Sequence, residues 1–274
     1  MDNLKLLDIA EIKKIEIEIL KTFADFCKKN NLRYYLAYGT LIGAVRHKGF
    51  IPWDDDIDLE MPREDYNKMI ELLKPKNNLI TATIELKTPY SKNYQYQFCK
   101  VIDNSTFVQE KTMKKKYKTS IWIDIFPIDY LPEEPNEEQI FLNKMFKMQK
   151  YYFYTIERKY SGADLIGKIK FNIAKLLFTP IYAIINQKQR IDKLSQKYLQ
   201  NKSIRITNIA GCIKLTSIMN ISDLEQTTIT FEDNSYTTFS NYDKILRDYY
   251  GDYMQLPPEN ERVLAHSLTA YKCI

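Results

Sequence analysis

Four aspartates fall within the five residues 54–58 of this 274-residue chain. Like charges at such close range repel one another and raise each other's pKa unless a cation lies among them. Just upstream lie a turn of small residues, Gly39-Thr40, and a basic pair, Arg46 and Lys48. This pattern predicts a divalent metal ion and a phosphate group held side by side.

Residues 56–61 alternate acidic and apolar side chains, which predicts a strand with two different faces. Residues two apart on a strand point to the same side, so we expect Asp56 and Asp58 to project together, followed by Glu60. Carboxylate oxygens suit Mg²⁺, and Mn²⁺ is the alternative metal. Because one or two such ions can stabilise in-line displacement at phosphorus, both aspartates are candidate metal ligands and catalytic residues.

A further carboxylate is expected from elsewhere in the chain, and Asp124 is the best candidate. It lies among large apolar residues in the run 121–126, where burying an acid without a cation or hydrogen-bond donors is costly. Asp129 is the weaker alternative, and a structural carboxylate satisfied by backbone amides or an arginine is the other interpretation of Asp124. An EF-hand loop is a poor match, because Leu59 stands where glycine is needed and Asp65 where glutamate is needed.

Sequence periodicity predicts the elements that position these residues. Apolar residues at helical spacing from Ile12 to Phe26 predict an amphipathic first helix, which residues 30–31 end. A short buried strand over 34–38 is followed by the turn Gly39-Thr40 and a brief helix that Gly49 ends.

The remaining predictions cover the rest of the chain. They are a helix opened by Pro62, strands over 83–86, 94–102 and 120–126, a lysine-rich helical region over 135–201, strands over 204–209 and 227–231, and a helix over 242–250 closed by Gly251. We therefore expect an α+β fold with a mixed sheet flanked by helices. We expect a single catalytic domain, with a core over 1–135, a helical insertion over 136–202 and C-terminal strands and a helix over 203–274.

Composition restricts the function class. The chain is 45% hydrophobic, which supports a packed core, and its net charge of +5 is mild. Such a charge allows an anionic ligand or membrane surface but gives no ground for a nucleic-acid partner, so we expect none. The four cysteines form no C-x-x-C pair, so we expect reduced thiols and a cytoplasmic protein. The acidic N-terminus has no apolar stretch, so we expect no signal peptide there.

The segment from Leu176 to Gln187 has no charge but is shorter than the ~20 apolar residues that a spanning helix needs. A buried helix is the simpler interpretation. The alternative is an interfacial helix on an anionic membrane, since Lys168, Lys170 and Lys175 precede or flank the segment. In that case the protein would make a peripheral contact with the inner face of the cell membrane.

The run from Tyr38 to Asp58 resembles the signature of the LicD family, the phosphorylcholine transferases of bacterial surface glycans. The resemblance continues over 122–129 and returns over 250–258, while His266 stands alone where such proteins often carry a His-His pair. The family belongs to the nucleotidyltransferase superfamily typified by DNA polymerase beta. The resemblance therefore implies a polymerase-beta-like nucleotidyltransferase fold, in which a strand carries the Asp-x-Asp pattern.

The resemblance also implies a reaction. Phosphocholine would move from CDP-choline to a sugar hydroxyl of a glycan acceptor, and CMP would leave. The acceptor would be a lipid-linked teichoic acid or capsule precursor, or a lipopolysaccharide. Asp56 and Asp58 would hold Mg²⁺ against the diphosphate, and Asp124 would complete the metal site or take the acceptor's proton. Gly39 and Thr40 would let hydrogen-bond donors approach the phosphates.

Four more residues are candidates for binding the donor. Arg46 and Lys100 would neutralise phosphate charge, His47 would contact the nucleotide, and Trp53 would stack on the base or on the choline methyl groups. Each of the four could instead have no part in binding. Arg46 and Lys100 would then be surface residues, His47 a structural residue at a helix terminus, and Trp53 a packing residue. The basic run 114–116 is either a solvated loop or a contact for a polyanionic glycan.

A different donor and a non-enzymatic function are alternatives to phosphocholine transfer. The transferred group could be glycerol, ribitol or ethanolamine phosphate from the corresponding CDP form, or a nucleotide. A catalytically silent metal- or glycan-binding module would keep the fold without the reaction.

Overall fold

The computed structural model describes residues 4–110, 119–157, 165–211, 218–264 and 268–273. The α-helices in these ranges are α1 (Ile9–Asn30), α2 (Tyr38–Arg46), α3 (Arg63–Leu73), α4 (Pro135–Ile156), α5 (Leu165–Ile185), α6 (Gln187–Ser195) and α7 (Tyr242–Tyr250). The strands are β1 (Leu4–Leu6), β2 (Tyr35–Leu36), β3 (Asp58–Pro62), β4 (Ile84–Lys87), β5 (Cys99–Asp103), β6 (Thr106–Glu110), β7 (Trp122–Tyr130), β8 (Arg205–Asn208), β9 (Met219–Asn220), β10 (Gln226–Phe231), β11 (Asn234–Phe239) and β12 (Leu268–Cys273).

A mixed sheet forms the centre of the fold, with strand order β2-β3-β7-β5-β4 and with β8 and β9 added beyond β7. Strands β3 and β7 run parallel, and the other pairs in this sheet are antiparallel. Two smaller sheets, β1-β12-β6 and the hairpin β10-β11, lie outside it. The expected mixed sheet flanked by helices is therefore confirmed.

Strand β7 is the middle strand of this order, and all nine of its residues are buried. Helix α1 packs against β5 and β7 through its apolar side, where Ile19 and Phe23 are fully buried. A capping box starts this helix, since Asp8 accepts the N–H of Glu11 at 2.8 Å and the Glu11 carboxylate accepts the N–H of Asp8 at 3.1 Å. The predicted first helix and its end at residues 30–31 are confirmed.

The region of the acidic motif differs from the expected strand in one respect. Strand β3 begins at Asp58, so Asp56 precedes it and the prediction of a strand from residue 56 is wrong at its start. The reason is the partner strand, since pairing with β7 begins with Asp58 opposite Asp124. Gly39 and Thr40 likewise lie in the first turn of α2 rather than in a turn before it.

Several strands were not expected from the sequence. Strands β1, β6 and β12 form a small sheet that joins the two ends of the described chain, and β11 completes a hairpin with the predicted β10. The helical prediction for 135–201 agrees with α4, α5 and α6 in the residues described there. The cysteines at 27, 99 and 273 are free thiols.

Helix α5 contradicts the interpretation of residues 176–187 as a buried helix. Leu176 is 77% exposed and Ile184 is 84% exposed, while Phe171 and Ala174 are buried. Among the described helices, none combines the length and apolar character needed to cross a membrane.

Candidate active site

Three adjacent strands place an acidic pair and a lysine side by side. The register sets Asp58 of β3 opposite Asp124 of β7, and Asp124 opposite Lys100 of β5. One carboxylate oxygen from each of Asp56, Asp58 and Asp124 lies within 4.8 Å of the others. We call these three aspartates the acidic triad. Asp124 Oδ1 lies 2.9 Å from Lys100 Nζ, so the predicted metal residues and one predicted phosphate ligand meet in one place.

The first turn of α2 holds the start of β3. Thr40 Oγ1 accepts a hydrogen bond from the Asp58 N–H at 2.8 Å, and the Asp58 carbonyl accepts one from the Ala37 N–H at 3.1 Å. Thr40 is buried, so its oxygen positions Asp58, a contact that the sequence did not predict. Gly39 leaves room for Asp54, because a Cβ at position 39 would lie 2.5 Å from Asp54 Oδ2.

An aromatic cluster and a buried carboxylate lie next to the acidic triad. Phe126 and Glu60 are opposite each other, two residues beyond the Asp124–Asp58 pair on the same two strands. The rings of Phe98 and Phe126 are 4.4 Å apart between centroids, and Tyr38 meets Phe126 edge-on at 5.8 Å. We call Tyr38, Tyr96, Phe98 and Phe126 the aromatic cluster.

Glu60 is held at the border of this cluster. Its Oε1 accepts a hydrogen bond from the Tyr38 hydroxyl at 2.5 Å, and that hydroxyl accepts one from Asn208 Nδ2 at 2.6 Å. Burial raises the pKa of Glu60 to about 7, although Tyr38 and Asn208 oppose that shift. A group with such a pKa can carry either a proton or a charge near neutral pH.

Lys100 joins the two parts of the site. Its ammonium group lies 3.9 Å from the centroid of the Trp122 ring and 4.3 Å from that of the Tyr96 ring, besides its ion pair with Asp124. Aromatic faces attract cations, so these contacts hold the lysine in place at Asp124. Lys100 is 3% exposed and is therefore a fixed part of the site.

The other predicted ligands form a second group at the opposite end of α2. Arg46 Nη1 donates to the Tyr253 carbonyl at 2.6 Å, and Arg46 Nε donates to His47 Nε2 at 2.9 Å. The His47 ring meets Trp53 edge-on at 6.2 Å, and the Arg262 guanidinium lies 5.4 Å from the Trp53 ring centroid. Since Thr40 and Arg46 are six residues apart on one helix, about 9 Å of helix axis separates the two groups.

The second group is electropositive. Burial and the neighbouring Arg262 lower the pKa of Arg46, and burial and Arg46 lower the pKa of His47. Arg262 was not among the sequence candidates. The signal that could have found its neighbourhood is the run 250–258, which ends four residues before it.

Among the other candidates, Asp129 lies away from the site. Asp129 forms a buried ion pair with Arg63, from Nε to Oδ1 at 2.6 Å, and Asp192 accepts from the same guanidinium at 2.8 Å. The weaker alternative to Asp124 is therefore part of a buried structural network. The lysines at 114–116 and His266 lie outside the described residues.

Comparison with known proteins identifies one family domain and one similar protein of nearly the same length. Residues 31–163 match the family described as "LicD/FKTN/FKRP, nucleotidyltransferase domain". The lipopolysaccharide cholinephosphotransferase LicD of Haemophilus influenzae is 29% identical over 272 residues, which are 98% of this chain and 99% of that protein. Residues 31–163 of this chain are therefore a LicD-family domain.

Two further relatives are similar over shorter stretches. The uncharacterized protein RP689 of Rickettsia prowazekii is 30% identical over 153 residues, covering 56% of this chain and 51% of that protein. Mannosyltransferase regulator 4 of Saccharomyces cerevisiae is 32% identical over 88 residues, covering 32% of this chain and 7% of that protein. The acidic triad and Lys100 lie within the LicD-family match, whereas Asn208 and Arg262 lie outside it.

The acidic triad has the electrostatics of a cation site. Burial raises the pKa of Asp58 well above its usual range, and the Asp56 and Asp124 carboxylates raise it further while Lys100 opposes them. Burial also raises the pKa of Asp54. A bound cation would relieve this repulsion, and three carboxylates supply the hard oxygen ligands that Mg²⁺ and Mn²⁺ prefer. The residues present therefore fit a divalent metal ion.

Glu16 is an acid that sequence reasoning did not single out. It lies on α1 and is 3% exposed, and its Oε2 has no hydrogen-bond partner among the described residues. Burial raises its pKa well above the usual range, and the aspartates of the segment 54–56 add to that shift. Its position within an amphipathic helix carries no sequence signal, because only the fold brings α1 near this segment.

Proposed function

We propose that this chain transfers phosphocholine from CDP-choline to a hydroxyl of a cell-surface glycan and releases CMP. The observation that carries the proposal is the acidic triad with Lys100, in a chain that matches a cholinephosphotransferase over nearly its whole length. Phosphoryl transfer depends on positioning and on neutralising charge, and such a site supplies both.

Each residue of the site has a proposed task. Asp56, Asp58 and Asp124 would hold Mg²⁺, or Mn²⁺ in its place, and that ion would neutralise the charge of the diphosphate. Thr40 fixes the backbone of Asp58, and Lys100 fixes the carboxylate of Asp124. Asp124 either completes the metal site or accepts the proton of the acceptor hydroxyl.

The second group on α2 is proposed to bind the nucleotide. Arg46 faces the segment around Tyr253 with positive charge, His47 accepts a hydrogen bond from Arg46, and Trp53 offers a ring for stacking. Arg262 joins the candidates there, because its guanidinium already lies over that ring. Cationic groups of this kind can neutralise the phosphate charge that remains outside the metal site.

The aromatic cluster supports choline as the transferred alcohol. Quaternary ammonium groups bind to aromatic faces, and a nearby carboxylate such as Glu60 adds attraction. Glycerol and ribitol would instead need a set of hydrogen-bonding side chains around their hydroxyl groups. We therefore place the choline group beside the aromatic cluster, with the phosphorus at the acidic triad.

The acceptor and the fold complete the proposal. Similarity to the lipopolysaccharide cholinephosphotransferase of Haemophilus influenzae supports a lipopolysaccharide as the acceptor, and a lipid-linked teichoic acid or capsule precursor is the other acceptor class. A cytoplasmic location would give access to CDP-choline.

We also propose a polymerase-beta-like nucleotidyltransferase fold in one catalytic domain, with α4 to α6 as its helical insertion. The unit formed by α2, β3 and β7 supports this assignment, since it carries the Asp-x-Asp pattern.

CMP release from purified protein tests the proposal. The protein is incubated with Mg²⁺, a lipopolysaccharide or teichoic acid precursor, and in turn CDP-choline, CDP-ethanolamine, CDP-glycerol or CDP-ribitol. We expect CMP release with CDP-choline, its loss in Asp58→Asn, and its retention in the control Asp25→Asn, which changes an exposed aspartate. Release with another donor alone would replace choline by that alcohol. Absence of CMP with every donor and acceptor would contradict a transferase.

A further inference from the structure

Helix α5 presents an apolar face that the described residues leave uncovered. The face consists of Ile166, Ile169, Ile173, Leu176, Leu177 and Ile184, and we call it the α5 apolar face. Their exposed fractions run from 50% at Ile169 to 84% at Ile184. Spacings of three, four and seven residues place them on one side of the helix. An exposed apolar surface of this extent marks an interaction site.

The opposite side of α5 is anchored to the protein. Phe171 and Ala174 are buried, and the ring of Phe178 stacks on Tyr151 of α4 at 4.7 Å. Lys175 Nζ donates to the Glu157 carbonyl at 2.7 Å. The helix is thus held in place by one side and offers the other to a partner.

The charges around this face are positive. Helix α5 contains no aspartate or glutamate, and its Lys168 and Lys170 are exposed. An apolar strip with basic residues along its borders matches the acyl chains and the anionic headgroups of a lipid surface.

We propose that α5 lies in the interface of an anionic membrane, with its apolar face among the acyl chains and its lysines at the headgroups. The helix lies on the membrane and does not cross it, since no described helix has the length and apolar character for a span. A second copy of this chain would bring the same lysines together, so charge complementarity favours lipid over a dimer. This inference goes beyond the proposed function and does not depend on the donor or the acceptor.

Vesicle flotation tests the proposal with the full chain. The vesicles are made of phosphatidylcholine alone or of phosphatidylcholine mixed with phosphatidylglycerol. We expect flotation with the anionic vesicles that decreases as salt is added, because salt screens the lysines. Lys168→Gln and Lys170→Gln should each weaken binding about fivefold, from the energy of one basic residue near an anionic surface.

Two apolar variants separate this face from other exposed apolar residues. Ile173→Asn with Leu176→Asn should abolish flotation, while the control Ile204→Asn, at a residue 68% exposed elsewhere, should retain it. Thermal unfolding of each variant should match wild type, because the changed side chains are exposed. Absence of wild-type flotation, or unchanged flotation in the double variant, would overturn the proposal. A wild-type dimer that the double variant makes monomeric, without vesicle binding, would assign the face to self-association.

Discussion

Replacing Lys100 with methionine should make the fold depend on pH and on divalent metal. The substitution keeps a side chain of similar length beside Trp122 but removes the ammonium group that lies 2.9 Å from Asp124 Oδ1. Removing one partner of a buried ion pair costs about 3–5 kcal/mol, because the other charge stays buried without compensation. We therefore expect Lys100→Met to lower the free energy of unfolding by about that amount near pH 8 without metal.

The pH dependence follows from Asp58. The pKa of this carboxyl is already above its usual range, and Lys100 holds it down, so the variant raises it further. An acid with a raised folded pKa costs stability when ionised, above that pKa, and the cost disappears as the pH falls and the group takes a proton. The deficit of the variant should therefore be largest near pH 8 and should shrink as the pH is lowered.

Urea unfolding at several pH values, with and without Mg²⁺, measures both effects. Metal at a hundred times its dissociation constant should restore about 2.7 kcal/mol to the variant. Lys76→Met changes an exposed lysine and should stay within about 0.5 kcal/mol of wild type. The double variant Lys100→Met with Asp124→Asn should recover part of the loss. A Lys100→Met protein as stable as wild type at every pH, with no gain from Mg²⁺, would refute this account of the site.

Three further changes give separate predictions. Thr40→Val removes the acceptor of the Asp58 N–H and should lower the free energy of unfolding by about 1–3 kcal/mol and abolish most CMP release. Thr40→Ser keeps a hydroxyl and should keep both stability and CMP release. Equal melting temperatures and turnover in the two variants would contradict the positioning role of Thr40. Gly39→Ala puts a Cβ 2.5 Å from Asp54 Oδ2 and should weaken Mn²⁺ binding in calorimetry, so an unchanged affinity would count against it. Burial lowers the pKa of Lys188 in the folded protein to about 8. Above that pH the unfolded chain binds more protons than the folded protein, so the free energy of unfolding of the wild type should increase as the pH is raised from about 8 towards the ordinary pKa of lysine. Lys188→Met should lack that rise in urea midpoints, and the same rise in both proteins would show that another group causes it.

Local pattern predicted the acidic strand but not its exact start. The alternation of Asp58 with Leu59 and Met61 correctly gave a strand with one apolar face, because that signal depends only on side-chain period. Asp56 was assigned to the same strand, yet pairing with β7 begins at Asp58. Where a strand begins depends on its neighbour, and the sequence of one segment does not contain that information.

The contacts that complete the site are nonlocal. Asp124 was found because a lone acid among large apolar residues is unusual, but its pairing with Lys100 depends on the register between β5 and β7. The contact of Arg262 with Trp53 joins residues far apart in the chain, so neither residue predicts the other. Periodicity within one sequence gives no information about contacts between such distant residues.

The same distinction explains the successes and failures in the fold. Helices α1 and α7 were predicted because capping residues and apolar spacing are local, and Gly251 with a φ of 68° closes α7 as expected. Strands β1 and β12 were missed, since they are short, mostly exposed and paired across the ends of the chain. The exposure of α5 could not be read from its apolar composition, because the same residues would suit a buried helix.

We propose that the acidic triad holds a divalent metal ion against the diphosphate of a CDP-alcohol. Crystals grown with Mn²⁺ and CDP-choline test it most directly, because the anomalous signal of manganese locates the ion without assumptions about its ligands. We expect an anomalous peak coordinated by Asp56, Asp58 and Asp124, with the diphosphate of the nucleotide bound to the same ion. Manganese bound elsewhere, or a nucleotide diphosphate bound away from these three aspartates, would contradict it.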